Sequence, residues 1–219
     1  MTFWGVKMNQ RKFLVVFCLL LSFGLINSSN ARADIVAGKD YTVLTNPQPT
    51  QDSGRIEVLE FFWYGCPHCY SLHPHIKTWL MNVPGDVDFR YVPAIFRPNW
   101  VSGAKIFYTI EAIGVTDTLH DKVYDAMHRD KIDLNNESIL FDWIEKQGID
   151  RKKFESTYSS FAVQNQVARS TQMSRQYQLT GVPALVVNGK YLTSGSMGGT
   201  PQDTIRTLEA LIEKARKEK

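Results

Sequence analysis

Two cysteines, Cys66 and Cys69, stand three positions apart within residues 61–70. The third cysteine of the chain, Cys18, lies in an apolar N-terminal run. A disulfide between Cys66 and Cys69 would close a loop too short to stabilise a fold much, because the entropic effect of a cross-link grows with loop length. A pair that adds little stability but can open and close is suited to thiol–disulfide exchange. The spacing therefore predicts a redox couple.

The two cysteines are expected to differ in reactivity because of where they stand. Residues 55–62 are apolar and β-prone, and a helical pattern begins at the cysteines, which places Cys66 at a helix N-terminus. Unpaired backbone N–H groups and the positive end of the helix dipole stabilise a thiolate there and lower the pKa of Cys66. Pro67 suits the first turn, and a protonated His68 adds positive charge. Cys66 is then the exposed reacting sulfur, while Cys69 is the deeper, resolving one.

Residues 1–33 have the pattern of a secretory signal peptide. A basic start precedes an apolar run at residues 13–26, and small residues at positions 31 and 33 form a cleavage site. The apolar run is short for a membrane span, which needs about 20 residues. Cleavage would start the mature chain at Asp34, and an uncleaved N-terminal anchor is the alternative. Export places the protein in an oxidising compartment, where one close cysteine pair indicates catalysis rather than a disulfide scaffold.

Removal of the signal peptide changes the charge of the protein. The whole chain has 25 basic and 22 acidic residues, and four of the basic residues but no acidic one lie in residues 1–33. The mature chain therefore has a net charge of −1. This charge gives no excess of basic residues that would bind a nucleic acid, so we expect no nucleic-acid partner.

The order of the predicted elements indicates the fold class. Strands are predicted at residues 41–44, 55–62 and 87–92, and in a hairpin of residues 183–187 and 190–193 around Asn188-Gly189. Helical spacing dominates residues 102–177, and a last helix follows Ser196 or Thr200. This order predicts an α/β architecture. We expect a thioredoxin-like fold formed by residues 34–101 and 178–219, with an inserted all-helical subdomain at residues 102–177.

Three features together resemble a known family. They are the Cys-Pro-His-Cys sequence at a strand–helix junction, the helical block, and Gly181-Val182-Pro183 before the closing hairpin. This combination resembles the periplasmic DsbA-type disulfide oxidoreductases, and the resemblance covers essentially the whole mature chain. It implies that the Val182–Pro183 peptide bond is cis and faces Cys66. It also implies that an extended substrate pairs with the exposed backbone of Val182.

Glu60 stands in the otherwise apolar strand, six residues before Cys66. A buried carboxyl group is costly unless it is paired or protonated. The family has an acidic residue at the matching place, so the resemblance implies that Glu60 accepts a proton near Cys69. An ion pair with a Lys or Arg, for packing alone, is the alternative. The family often has an acid soon after the second cysteine, where this chain has His73 and His75.

The resemblance implies a thiol:disulfide interchange protein of the periplasm. Such a protein donates its Cys66–Cys69 disulfide through a mixed disulfide at Cys66. Its partners would be unfolded or reduced exported polypeptides and a DsbB-type, quinone-linked oxidase of the inner membrane. We expect no cofactor and no metal. We also expect a monomer, because no stretch before Arg55 is long enough for a separate dimerisation domain.

Other functions remain open for the same residues. A disulfide isomerase or reductase of the same fold is the nearest alternative, and a holdase that uses the fold as a scaffold would not need the cysteine pair. Cys66, Cys69, His73 and His75 could instead be metal ligands, in Cys-x2-Cys-x3-His-x-His spacing. On a straight helix, however, His75 points away from the other three.

The sequence also gives expectations for two further groups of residues. His120 and His128 are expected on the surface of a helix. The aromatic run at residues 61–64 is expected to lie mostly in the core, with Trp63 or Tyr64 as a candidate for an apolar patch that binds unfolded substrate.

Overall fold

A computed structural model describes residues 1, 2, 4 and 34–219 of the protein. The predicted signal peptide, residues 1–33, falls outside the described residues except at positions 1, 2 and 4, and Cys18 falls outside them too. Within the described part of the chain, no helix is both long enough and apolar enough to cross a membrane.

A five-stranded mixed sheet lies at the centre of the described chain. Its strands are β1 (Thr42–Val43), β2 (Ile56–Phe62), β3 (Val87–Pro93), β4 (Ala184–Val187) and β5 (Tyr191–Ser194). They lie in the order β1-β5-β4-β2-β3, with β2 and β3 parallel and the other pairs antiparallel. Every residue of β2 is buried, because strands flank it on both edges and apolar clusters cover both of its faces.

Helix α1 (Pro67–Leu80) follows β2 after a short loop. Cys66 is its N-cap residue, and Pro67 occupies the first helical position, where a missing N–H costs nothing. Pro74 lies inside the helix, where its lack of an N–H removes one intrahelical hydrogen bond.

The chain between β3 and β4 is helical, as the sequence predicts. A 3-10 turn (Pro98–Trp100) leads into α2 (Val101–Ala112), α3 (Thr116–His128), α4 (Glu137–Lys146), α5 (Arg151–Tyr158) and α6 (Phe161–Gln176). The side chains of Asn136 and Asp150 cap α4 and α5 by accepting backbone hydrogen bonds at their starts. These helices share one buried cluster with Phe62, Tyr64 and Cys69, so they contact the cysteine site directly.

The closing hairpin forms around Asn188 and Gly189, as predicted. Both residues have positive φ, 51° and 64°, as the preferred two-residue hairpin turn requires. A side chain at Gly189 would also overlap the backbone of Gln48. A short helix that the sequence does not indicate, α7 (Gly195–Gly198), follows the hairpin. Four residues are too few to show a helical period in a sequence.

The C-terminal helix α8 (Pro201–Lys217) begins at Thr200, one of the two predicted starts. The side chain of Thr200 and that of Asp203 form a capping box. Helices α1 and α8 pack on the same apolar cluster as strands β2 and β4. That cluster includes Ile56, Val58, Leu72, Ile76, Leu185, Leu208, Leu211 and Ile212.

Candidate active site

The two cysteines lie at the start of α1 and differ in exposure. Cys66, the N-cap residue, has an extended backbone and is 7% exposed, while Cys69, in the first turn, is 0% exposed. Both are free thiols, and their side chains are hydrogen-bonded to each other. Cys66 is therefore the sulfur that a substrate can reach, although it is more deeply buried than expected.

The surroundings of Cys66 favour its thiolate and lower its pKa from 9.0 to about 6. The hydrogen bond from the Cys69 side chain is the largest cause, and burial opposes it. The backbone N–H groups of Cys69 and His68 and the charge of His68 lower the pKa further. The contributions of the helix N-terminus and of His68 agree with the sequence-based expectation. The dominant role of the Cys69 thiol was not expected.

Burial has the opposite effect on Cys69, whose pKa it raises well above 9.0. The neighbouring Cys66 and the carboxyl group of Glu60 raise that pKa further. At pH 7 the reduced pair therefore holds one thiolate, at Cys66, and one thiol, at Cys69. A sulfur with a low pKa is the better leaving group in thiol–disulfide exchange, so the two positions are chemically distinct.

The segment immediately before β4 lies next to Cys66. The Val182–Pro183 peptide bond is cis, as the resemblance implied, and the carbonyl oxygen of Val182 lies 3.5 Å from Cys66 Sγ. The neighbouring Gly195 packs close to the Pro183 ring, because a Cβ at that position would lie 3.5 Å from it. Two segments more than 100 residues apart in sequence thus meet at the reactive sulfur.

A groove of about 790 Å³ runs past this meeting point. It is lined by the β1 segment, the chain before β4, the α7 turn and one side of α1. The residues are Thr42, Val43, Leu44, Thr45, His68, Ser71, Leu72, Gln178, Leu179, Thr180, Gly181, Val182, Pro183, Ala184, Leu192, Ser194, Gly195, Ser196, Met197, Gly199, Pro201 and Thr204. No Asp, Glu, Lys or Arg stands among these described lining residues, so the groove suits an uncharged, extended peptide segment.

The DSBA-like thioredoxin domain, as a family model, matches residues 57–208 of the chain. The chain belongs to this family. It is 38% identical to the thiol:disulfide interchange protein DsbA of Pseudomonas aeruginosa, over 93% of this chain and 96% of that protein. It is 39% identical to DsbA of Azotobacter vinelandii, over 90% of this chain and 92% of that protein.

Solved structures of DSBA-like proteins agree with the fold. The crystal structure of Pseudomonas aeruginosa DsbA matches with a TM-score of 0.81 and 40% identity, over 84% of this chain and 96% of that one. The oxidoreductase NmDsbA1 of Neisseria meningitidis matches with a TM-score of 0.76 and 31% identity, over 85% and 96%. The expected thioredoxin-like α/β fold is thereby confirmed. The protein is a thiol:disulfide interchange protein, that is, a protein disulfide oxidoreductase.

In this DSBA-like protein, Glu60 is 1% exposed and lies close enough to Cys69 to affect its pKa. Burial raises the pKa of Glu60 itself to about 8, so its carboxyl group is protonated at pH 7. One of its oxygens, Oε2, is buried without a hydrogen-bond partner. The structure shows no ion pair at Glu60 within residues 34–219, and the pair formed in this strand joins Arg90 to Glu57.

Two histidines of this DSBA-like protein contradict their sequence-based placement. His120, expected on the surface, is 4% exposed, and its Nδ1 lies 2.6 Å from Tyr64 Oη. His128 is partly buried, and its Nε2–H donates to the carbonyl oxygen of Tyr64 at 2.7 Å. Helix α3 is buried on more than one side, because it packs on α1, on the loop before Cys66 and on α2. The apolar stripe of Leu119 and Val123 alone did not indicate this.

The metal-site alternative finds no support in the geometry of α1. His73 is buried, and its Nε2–H donates to Asp121 Oδ1 at 2.7 Å, so this side chain is bonded to helix α3. Among residues 1, 2, 4 and 34–219, no three His, Cys, Asp or Glu side chains come together as metal ligands. The family assignment also favours disulfide exchange over metal binding.

Of the aromatic residues just before Cys66, Tyr64 lies in the core and Trp63 lies nearer the surface. Tyr64 is buried against α3, so it is excluded from the predicted substrate-binding patch. Trp63 is partly buried and stacks on Trp100, with ring centroids 4.2 Å apart and an interplanar angle of 5°. Phe96 lies against Trp100 and is 37% exposed. A small aromatic surface that includes Trp63 thus lies beside the cysteines.

Proposed function

We propose that the protein, in its oxidised form, donates the Cys66–Cys69 disulfide to reduced exported polypeptides. The observation that carries this proposal is the difference in pKa between the two cysteines, lowered at Cys66 and raised at Cys69. Stabilisation of the Cys66 thiolate favours the reduced pair over the disulfide. A disulfide whose reduced form is stabilised is a strong oxidant.

The exchange has two steps. A substrate thiolate attacks Cys66 Sγ, the S–S bond to Cys69 breaks, and Cys69 leaves as a thiolate while a mixed disulfide forms. A second substrate thiolate then attacks the substrate sulfur of that mixed disulfide, and Cys66 leaves as a thiolate. The substrate gains a disulfide and loses two electrons, which the cysteine pair receives.

Glu60 supplies the proton for the first step in this proposal. Cys69 is buried, and a thiolate there is costly in a low-dielectric site. The neighbouring carboxyl group is protonated at neutral pH, so it can protonate Cys69 as the S–S bond breaks. In the reverse direction, when the disulfide re-forms, Glu60 accepts that proton. Pro67 and His68 help to set the pKa of Cys66 at the helix N-terminus.

Substrate binding is assigned to the groove and to Val182–Pro183. An extended polypeptide placed along the backbone of Val182 would pass Cys66, whose Sγ lies 3.5 Å from the Val182 carbonyl oxygen. Main-chain pairing of this kind gives affinity without reading a particular sequence. Among the described residues that line the groove only His68 can carry a charge, which is consistent with a broad range of substrates.

The proposal also includes partners and a location. After each exchange the cysteine pair holds two electrons, so turnover requires an acceptor, and we assign this role to a DsbB-type, quinone-linked oxidase of the inner membrane. We place the protein in the periplasm, after cleavage of residues 1–33, and as a monomer. We place the thioredoxin-like domain at residues 34–101 and 178–219 and the helical insertion at residues 102–177, which is supported by helices α2 to α6 between β3 and β4.

The proposal is tested by the redox equilibrium of the purified protein in glutathione buffers, with free thiols trapped at Cys66 and Cys69. We expect a reduction potential well above that of thioredoxin, whose value is about −270 mV. A strongly reducing potential would contradict the proposal. Oxidation of reduced ribonuclease should also be faster than rescue of scrambled ribonuclease, and Cys66→Ala should abolish it. Equal rescue of both substrates would favour an isomerase.

A further inference from the structure

Three buried polar atoms without hydrogen-bond partners lie in neighbouring side chains behind the cysteine pair. They are Glu60 Oε2, His73 Nδ1 and His120 Nε2. Buried polar groups are normally hydrogen-bonded, and unsatisfied ones often mark sites of function. Each histidine has one paired and one unpaired nitrogen, because His73 Nε2 bonds Asp121 and His120 Nδ1 bonds Tyr64.

These groups are linked to one another through β3. Glu60 in β2 stands directly across from Tyr91 in the parallel register, and its carboxyl group acts on the pKa of that tyrosine. The ring centroid of Tyr91 lies 4.5 Å from that of His120. The rings of His120 and His73 are 4.7 Å apart and nearly perpendicular, at 84°. Tyr91 therefore lies between Glu60 and His120, and His120 lies against His73.

The far end of this series reaches the solvent. His73 Nε2–H donates to Asp121 Oδ1, and the Asp121 side chain is 40% exposed. Asp121 also forms an ion pair with Lys77, one turn further along α1. A carboxylate that is partly exposed to water and hydrogen-bonded to a buried imidazole can exchange protons with both.

Burial favours neutral imidazoles at both histidines, although the Asp121 carboxylate favours the charged form. Burial lowers the pKa of His73 and lowers the pKa of His120 still more. The charged groups that act on the two histidines are Lys77, Asp121 and Asp125. The rings of Tyr64, Tyr91 and Tyr124 pack against them. Glu60, Glu111 and Asp117 act on Tyr64 and Tyr91, one layer further out. A neutral imidazole can accept a proton at one nitrogen and release one from the other.

We propose that His73 and His120 form a proton relay between Glu60 and the solvent at Asp121. This inference rests on the proposed role of Glu60 as the proton donor to Cys69. The two histidines act through Glu60, so they are positioning residues for the proton and do not touch the reacting sulfurs.

The proton balance of the exchange shows when the relay is needed. When the disulfide is reduced, Cys69 leaves as a thiolate, takes the Glu60 proton and becomes a thiol, and Glu60 becomes a carboxylate. One proton from the solvent then restores Glu60 through Asp121, His73 and His120. Until Cys69 is protonated, its thiolate can attack the mixed disulfide and reverse the first step. Slow delivery of the proton therefore slows net reduction.

The test compares His73→Gln and His120→Gln with the unmodified protein. Glutamine keeps a polar side chain of similar size but cannot pass a proton through itself. The measured quantity is the rate of reduction of the oxidised protein by excess dithiothreitol, at pH 6 and pH 9, in H2O and D2O. Asp121→Asn changes the solvent-exposed end of the relay. It keeps the test valid if either buried histidine variant fails to fold. His75→Gln is the matched control, since His75 lies on the same helix outside the cluster.

The expected result depends on pH. At pH 6 most molecules already carry the Glu60 proton, so both variants should react within about two-fold of the unmodified protein. At pH 9 the proton must come from the solvent, so the rate should fall by at least about ten-fold, with a larger solvent isotope effect. Asp121→Asn should show the same pattern, and His75→Gln should show none. The equilibrium potential should not change, because a relay alters rates only.

Two results would overturn the relay. One is a rate at pH 9 within two-fold of the unmodified protein in all three variants. The other is an equal loss at both pH values accompanied by a change in potential, which would indicate a structural role. Glu60→Gln separates the relay from the proposed function. If it slows reduction at pH 6 while the histidine variants have no effect at pH 9, only the relay fails; if it has no effect at pH 6, the donor role of Glu60 fails as well.

Discussion

The Nε2 atom of His128 lies 2.7 Å from the carbonyl oxygen of Tyr64, two residues before the reactive Cys66. This bond joins the end of helix α3 to the loop that sets the start of helix α1. The imidazole also stacks on Tyr70 in α1, with ring centroids 4.7 Å apart and an interplanar angle of 8°. One side chain of the helical segment thus contacts both sides of the cysteine pair.

Removal of this side chain should weaken the fold around the cysteines. In His128→Ala the Tyr64 carbonyl loses its donor and Tyr70 loses its stacking partner. We expect the free energy of unfolding to fall by about 1–3 kcal/mol, since a partly buried acceptor is left without a partner. Urea unfolding of the oxidised protein measures this. His75→Ala, on α1, is the control and should change stability by less than about 0.5 kcal/mol; equal losses in both variants would contradict the assignment.

The pKa of Cys66 should depend on the side chain at position 69. The hydrogen bond from Cys69 is the main reason that the Cys66 pKa is lowered to about 6. Cys69→Ala removes the donor and should raise the pKa of Cys66, whereas Cys69→Ser keeps an O–H donor and should preserve most of the lowering. Thiolate absorbance at 240 nm, followed from pH 4 to pH 10, measures both. The same pKa in the two variants would show that the helix N-terminus, not residue 69, dominates.

Local patterns predicted the parts of the site that depend on neighbouring residues in sequence. Cys66 at a helix N-terminus, Pro67 in the first turn and the Asn188-Gly189 hairpin each follow from a few adjacent residues, and each forms as predicted. The cis bond before Pro183 came only from the family resemblance, because a sequence does not distinguish cis from trans at a proline.

Contacts between distant segments were the part that the sequence did not show. His120 and His128 fall on a helix with an ordinary apolar stripe, and only the packing of α3 against the Tyr64 loop buries them. The sequence does not determine the protonation state of Glu60 for the same reason. A carboxyl group in an apolar strand can be paired or protonated, and the choice depends on whether a cation reaches it; Arg90 bonds Glu57 instead.

Gly65 is required by the indole of Trp63. A Cβ at position 65 would overlap the Trp63 ring, which is held by stacking on Trp100. Gly65→Ala should therefore displace the stacked pair and lower the free energy of unfolding by about 1–3 kcal/mol, as overpacking does. Gly85→Ala is the matched control, because a Cβ there meets nothing within 4 Å. Thermal unfolding and tryptophan fluorescence would show both effects, and equal melting temperatures in the two variants would contradict the clash.

Glu60 should make the fold less stable as pH rises, which is the reverse of a paired carboxylate. Its pKa is raised from 4.5 to about 8 in the folded protein. Between these values the unfolded chain releases the proton while the folded protein keeps it, so the free energy of unfolding falls as pH rises from 4.5 to 8. Glu60→Gln removes this penalty and should stabilise the oxidised protein by roughly 3 kcal/mol at pH 7, with no gain at pH 4.

Glu57 provides the comparison for the stability measurement on Glu60→Gln. Glu57 lies three residues earlier in the same strand, is also buried, and pairs with Arg90. Glu57→Gln removes the nearer carboxylate from Arg90 and leaves it only the more distant Asp88, so it should lower stability at pH 7. Urea unfolding of both variants at pH 4 and pH 7 provides the comparison. If Glu60→Gln lost stability at pH 7 as Glu57→Gln does, Glu60 would be an ionised, paired residue, and it could not hold the proton that Cys69 requires.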